Sequence, residues 1–203
     1  MSIVTIGIID YGMGNHASVT HGLRDLGFRV RVSKQAADLD SADLLVLPGV
    51  GAFPAAMRSL HAQGLVTYLQ EQARLLRPIV GICLGMELLA SASHELEYTS
   101  GLDLIPGEFV PFADRGWHIG WNTLECVRGD ASFQSSDGLA FYFNHSFRYE
   151  GPSEYQIAVS RHQATFASVI RRGKVVGLQF HPEKSQVAGQ VLLKSLIGEL
   201  LHA

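Results

Sequence analysis

Apolar runs and helix-spaced stretches take turns along the first half of the chain. Ile3 to Ile9, an apolar run broken only by Thr5 and Gly7, reads as a buried strand, and Asp10–Asn15 follows as a glycine-rich turn. His16 to Leu26 has helical spacing and stops at Gly27, while Phe28 to Val32 alternates apolar with basic residues, as a less buried strand does. Leu44 to Leu47 is a third strand, stopped by Pro48-Gly49-Val50-Gly51. A helix is expected over Pro54 to Leu76, bent near Gly64. The run Pro78-Ile79-Val80 leads through Gly81-Ile82-Cys83-Leu84-Gly85 into the helix-forming Met86–Ala90. Strands alternating with helices predict a parallel sheet covered on both faces.

After Ser93 the rhythm changes to short strands: Leu139–Phe143, Gln156–Ser160, Ala167–Ile170 and Val175–Phe180. A last helix, Ser185 to Leu201, is expected to lay Val187, Val191, Leu192, Leu196 and Leu200 on the sheet. With no linker or repeat, residues 1–203 read as one α/β domain: a mostly parallel central sheet, helices on its faces and a β-rich second half. The formal charge of −3 gives no reason to expect nucleic acid or an anionic membrane, and no apolar run approaches a bilayer span. Two cysteines make no disulfide framework, which suggests a reduced, cytoplasmic protein.

Chemistry concentrates on Cys83. A nucleophile flanked by glycines between a buried strand and a helix is the thiol form of the strand–elbow–helix turn. Glycine tolerates the strained backbone and the close approach, and the nearby helix N-terminus should favour the thiolate. A cysteine packed as a small hydrophobe is the competing reading. The thiol needs a base, and His181-Pro182-Glu183 follows the apolar strand ending at Phe180. In extended chain, residues i and i+2 share a side, so Glu183 can orient the His181 ring; alone, this tripeptide could be a polar loop.

The order Cys, His, then an acid two residues on resembles the class I (triad-type) glutamine amidotransferases, whose fold is flavodoxin-like. Ile9–Asn15, Pro48–Phe53, Gly81–Met86, His118–Asn122, Tyr142–Ser146 and His181–Ser185 carry the resemblance in family order. Asp-Tyr-Gly-x-Gly-Asn and His-Ile-Gly-Trp-Asn are most similar to the members that serve as glutaminase subunits in histidine biosynthesis. The resemblance implies that Cys83 attacks the carboxamide of L-glutamine, with His181 as acid and base and Glu183 orienting it. The oxyanion formed in that attack needs preorganised donors, for which the N–H of Leu84 and the backbone of Gly49, Val50 and Gly51 are the candidates, with an ordinary strand-to-helix turn as the competing reading of Pro48–Gly51. The resemblance also implies ammonia passed to a (β/α)8-barrel cyclase subunit. No metal or organic cofactor is expected.

By the same resemblance, Glu87, Asn144, His145, Ser146 and Phe147 face the glutamine. Asn15, Ser18, His118, Trp121, Asn122, Tyr142 and Lys184 belong to the partner-facing region. Position 87 is usually Gln in this family; Trp117, Asn144 and Phe147 also depart from its pattern. Glu87 could retune substrate affinity or be a solvated helix residue. The departures leave a paralogous subunit feeding another synthase, such as one in a surface-sugar pathway, as an alternative; a cysteine hydrolase or a non-enzymatic interaction module are others. His16, His21, His61, His94, His162 and His202 lack paired-ligand spacing and read as surface residues.

Overall fold

A computed structural model describes residues 3–113 and 116–202. Strand β1 (Thr5–Ile9) leads to helix α1 (His16–Asp25), β2 (Arg29–Ser33), a short α2 (Ala36–Leu39) and β3 (Leu44–Gly49). Helices α3 (Phe53–Ala62) and α4 (Leu65–Arg74) come next, then β4 (Ile79–Cys83) and α5 (Leu84–Leu89). The second half contributes β5 (Ala90–Ser93), β6 (Thr99–Ser100), β7 (Ile105–Pro111), β8 (His118–Thr123) and β9 (Glu125–Cys126). It continues with β10 (Ala140–His145), β11 (Phe147–Glu150), β12 (Gln156–His162), β13 (Ala164–Arg172), β14 (Val175–Leu178) and α6 (Gln186–His202).

The main sheet runs β2-β1-β3-β4-β14-β13-β12-β9. Its first five strands are parallel, and the other three join antiparallel. A smaller sheet, β11-β7-β5-β6, and a two-stranded ribbon, β10-β8, complete the β structure. Side chains on β3 alternate between two cores, as the two-residue period of a strand requires. Leu45 and Leu47 pack with α3, α4 and the smaller sheet. Leu44 and Val46 pack with α1, α6 and the inner face of β10. The parallel sheet with helices on both faces is thus as the pattern predicts.

Three local expectations change. The stretch read as one bent helix is two, because Gly64 takes a left-handed φ of 68° and starts α4 afresh. Strand β3 continues through Pro48 and Gly49, pairing Gly49 with Cys83, so only Val50 and Gly51 lie beyond it. On α6, Val187 and Val191 face solvent, and the buried stripe is Gly189, Leu192, Leu193, Leu196, Ile197 and Leu200. Strand β10 of the ribbon matches the expected Leu139–Phe143 strand, whereas helix α2, its ribbon partner β8 and the strands of the smaller sheet lie outside the sequence expectation.

Candidate active site

Parallel strands β4 and β14 lie side by side with Leu178 opposite Ile82, so their C-terminal ends open at the same place. Open α/β sheets bind ligands at that edge. Cys83 ends β4 with φ 55° and ψ −116°, a conformation rare for any residue with a side chain, held by the packing around it. A Cβ on Gly85 would lie 1.8 Å from the Leu47 carbonyl oxygen, and one on Gly81 would lie 2.5 Å from the Gly85 oxygen. Both glycines are required by close backbone approach, as the sequence reading holds.

His181 follows β14 and is fixed at its backbone, its N–H donating to the Tyr142 carbonyl at 2.8 Å. Its Nδ1 meets Glu183 Oε1 at 2.9 Å, and both side chains are almost wholly buried. The route to this contact differs from expectation. Pro182–Lys184 is a 3-10 turn, not extended chain, and the turn folds Glu183 back onto the ring. Pro182 suits it, since the first turn of a helix has no use for that N–H. Glu183 Oε2 is buried without a partner.

The sulfur is not primed as a thiolate. Burial pushes the Cys83 thiol well above its usual range, and the neighbouring Glu87 and Glu183 push in the same direction. The Leu84 N–H and Lys184 pull it down by less. The helix-terminus effect expected from sequence is therefore present and outweighed. The thiol donates instead to the Asn144 carbonyl, with the sulfur 3.6 Å from the oxygen.

Of the expected oxyanion residues, Leu84 and Gly49 lie beside the sulfur. Leu84 directs its N–H at it, and Gly49 is its cross-strand neighbour. Val50 is exposed and Gly51 has φ 107°. A Cβ on Gly49 would sit 2.5 Å from the Tyr11 hydroxyl oxygen, so this strand end has room only for glycine. Tyr11 itself is fully buried with that hydroxyl unpartnered. The Asp10–Asn15 segment read as a plain turn thus supplies the floor beneath Gly49.

Of the expected substrate residues, Ser146 and Phe147 line a cavity of about 500 Å³ together with Glu95 and Trp117. Glu87 is buried, with 4% exposure, which removes the solvated-helix reading. Glu95 had no signal in the sequence, where His94-Glu95-Leu96-Glu97 looks like a solvated loop. Its Oε2 accepts from the Phe53 N–H at 2.6 Å, tying the cavity to the start of α3.

His145 points inward. Its Nδ1 lies 2.7 Å from the Phe147 carbonyl, and its Nε2 lies 3.0 Å from His118 Nδ1. Since a carbonyl only accepts, His145 carries its hydrogen on Nδ1 and His118 must donate. His118 Nε2 then accepts from Asn122 Nδ2 at 3.1 Å, and Asn122 also donates to the Arg161 carbonyl. His162 stacks on His118 with ring centres 4.5 Å apart, so it is part of this inner cluster and not the surface residue expected. Burial holds His118 down at about 4 and His145 at about 3.

The expected interface residues divide. Asn15 caps α1, accepting from the Ser18 N–H at 3.3 Å and donating to its hydroxyl at 2.8 Å, so both have a local structural task. Trp121, 51% exposed, sits 6.1 Å from the Tyr142 ring, and Lys184 Nζ lies 5.9 Å over that ring. The Tyr142 and His181 rings are 6.4 Å apart, so an unbroken path of rings runs from this surface to the buried His181–Glu183 pair.

Residues 7–197 match the family described as Glutamine amidotransferase class-I. Imidazole glycerol phosphate synthase subunit HisH of Carboxydothermus hydrogenoformans is 44% identical over 192 residues, covering 93% of this chain and 96% of that protein. HisH of Moorella thermoacetica is 43% identical over 202 residues, covering 97% and 95%. In fold, the chain superposes on a putative GMP synthase protein from Thermoplasma acidophilum with a TM-score of 0.76 at 19% identity, covering 98% of this chain and 95% of that one. A glutamine amidotransferase from Thermotoga maritima gives 0.72 at 17% identity, covering both chains fully.

The chain belongs to the class I glutamine amidotransferases. Within that family it falls with the HisH subunits of imidazole glycerol phosphate synthase, and it is a glutamine-hydrolysing enzyme subunit of histidine biosynthesis.

Proposed function

We propose that Cys83, His181 and Glu183 hydrolyse L-glutamine to glutamate and ammonia, and that the ammonia passes to a (β/α)8-barrel cyclase subunit. The observation that supports this most is the buried His181–Glu183 pair at the strand end beside Cys83. With its thiol held protonated, Cys83 gives its proton to His181 as the sulfur bonds to the carboxamide carbon. Glu183 accepts from His181 Nδ1 and stabilises the imidazolium. The oxyanion is met by the Leu84 N–H and by the backbone of Gly49–Gly51, donors worth about 3 kcal/mol each in comparable sites. His181 returns the proton to the departing ammonia, then takes one from the water that cleaves the thioester and passes it to the Cys83 sulfur as that bond breaks and glutamate leaves.

A cyclase partner fits the surface above the site. Trp117, Ile119 and Trp121 are 63%, 61% and 51% exposed and lie close together in sequence on β8 and its approach. Large apolar side chains in such a group mark an interaction face. We place the reaction in the cytoplasm, where Cys83 and Cys126 remain free thiols. Mixing the chain with the histidine-pathway cyclase should yield a complex that makes cyclised product from glutamine. Absence of a complex by analytical ultracentrifugation, with both proteins folded, would rule this partner out.

A further inference from the structure

Glu87 stands in the first turn of α5, four residues past Cys83, in a helix whose every residue is buried. Its Oε1 accepts from Gln179 Nε2 at 3.3 Å, while Gln179 Oε1 is buried with no partner. The titratable groups around it are Cys83 on β4, Tyr11 on the loop after β1, and Glu95 beyond β5. None is a cation, and among the described residues no Lys, Arg or His pairs with Glu87. A carboxylate buried among two neutral acids and a second carboxylate, with one amide to hold it, is disfavoured relative to the protonated acid.

We propose that Glu87 works as a neutral carboxylic acid, a positioning residue that keeps negative charge away from Cys83 and so sets the upper pH limit of glutaminase activity. This rests on Cys83 being the nucleophile. Burial, with Glu95 in support and Gln179 opposing, raises the Glu87 pKa to about 8. Below that pH the acid is uncharged and resembles a glutamine side chain in shape and polarity. Above it, a carboxylate one helical turn from the sulfur raises the thiol further and opposes transfer of its proton to His181.

The test compares wild type with Glu87→Gln at about pH 6.5 and about pH 9.5, on either side of the titration. Two rates are read: glutaminase kcat in the complex with cyclase, and alkylation of Cys83 by iodoacetamide in the chain alone, followed by mass of the Cys83 peptide. Each rate at the higher pH is taken as a ratio to the same protein's rate at the lower pH. That ratio should be about fivefold larger or more for Glu87→Gln than for wild type in both readouts. Equal ratios in the two proteins overturn the inference. If neither protein turns over glutamine, the glutaminase reading fails while the alkylation ratio still decides the role of Glu87. Should the variant not fold, carboxyl-carbon NMR of wild-type Glu87 decides instead: a midpoint near about 8 supports the inference and one near about 4 overturns it.

Discussion

The Cys83 thiol donates to the backbone carbonyl of Asn144, 3.6 Å from its sulfur, and so joins the elbow after β4 to the edge ribbon. The thiol hydrogen is thus held by strand β10 of that ribbon. Cys83→Ala removes both the proposed nucleophile and this bond. Glutamine-dependent product formation in the complex should fall to background, while synthesis from added ammonium salts proceeds within about twofold of wild type. Steady-state assays with each nitrogen source check this. Loss of both activities would assign Cys83 to folding or assembly.

Glu183→Gln keeps the shape of the side chain and removes its charge. Without the carboxylate, the tautomer and orientation of His181 are no longer enforced, and the imidazolium formed during attack has no counter-charge. By comparison with triads in which the acid was replaced by its amide, kcat should fall by about two to four orders of magnitude with KM little changed.

Gly85→Ala forces a methyl group against the Leu47 carbonyl, 1.8 Å from the new Cβ. The neighbour is backbone in a central strand, so it cannot swing aside as a flexible side chain would. Unfolding in urea should show a loss of about 3 kcal/mol. A stability change under about 0.5 kcal/mol, the range of neutral surface substitutions, would show that the elbow is not tightly held.

The inner histidines predict acid sensitivity. Burial keeps His145 at about 3 and His118 at about 4, below the ordinary histidine value of about 6.5 in the unfolded chain. Below that value the unfolded state binds protons that the folded state refuses. Their contribution is therefore fully present above about pH 6.5 and is lost progressively as pH falls toward the folded values. Urea midpoints should drop between about pH 7 and about pH 4.5, and His118→Asn should shrink that drop. Equal drops in the two proteins would place the acid sensitivity elsewhere.

The Cys83 elbow and the His181–Glu183 contact were legible because their constraints are local. Glycines around Cys83, and Pro182 between His181 and Glu183, are features that one short window displays. The parallel sheet was legible for a similar reason, through uniform apolar runs. What escaped depends on partners distant in sequence. Burial of Glu87 is decided by Gln179 and Tyr11, and the place of Glu95 by the start of α3. The inner cluster needs His118, His145 and His162 to meet from three strands, with no shared spacing to announce them. On α6 the apolar set was rich enough to allow more than one stripe, and the sheet beneath chose the one without Val187 and Val191.

Strand β10 has two faces that cannot be moved separately. Phe141, Phe143 and His145 are sunk in the core, while Tyr142 and Asn144 alternate with them toward the outside. The peptide that follows Tyr142 by two residues is the one whose oxygen meets the sulfur. Only two residues of main chain therefore separate the outward-facing Tyr142 from the oxygen that accepts from the thiol, so the surface of the ribbon and the environment of the Cys83 sulfur are set by one continuous strand.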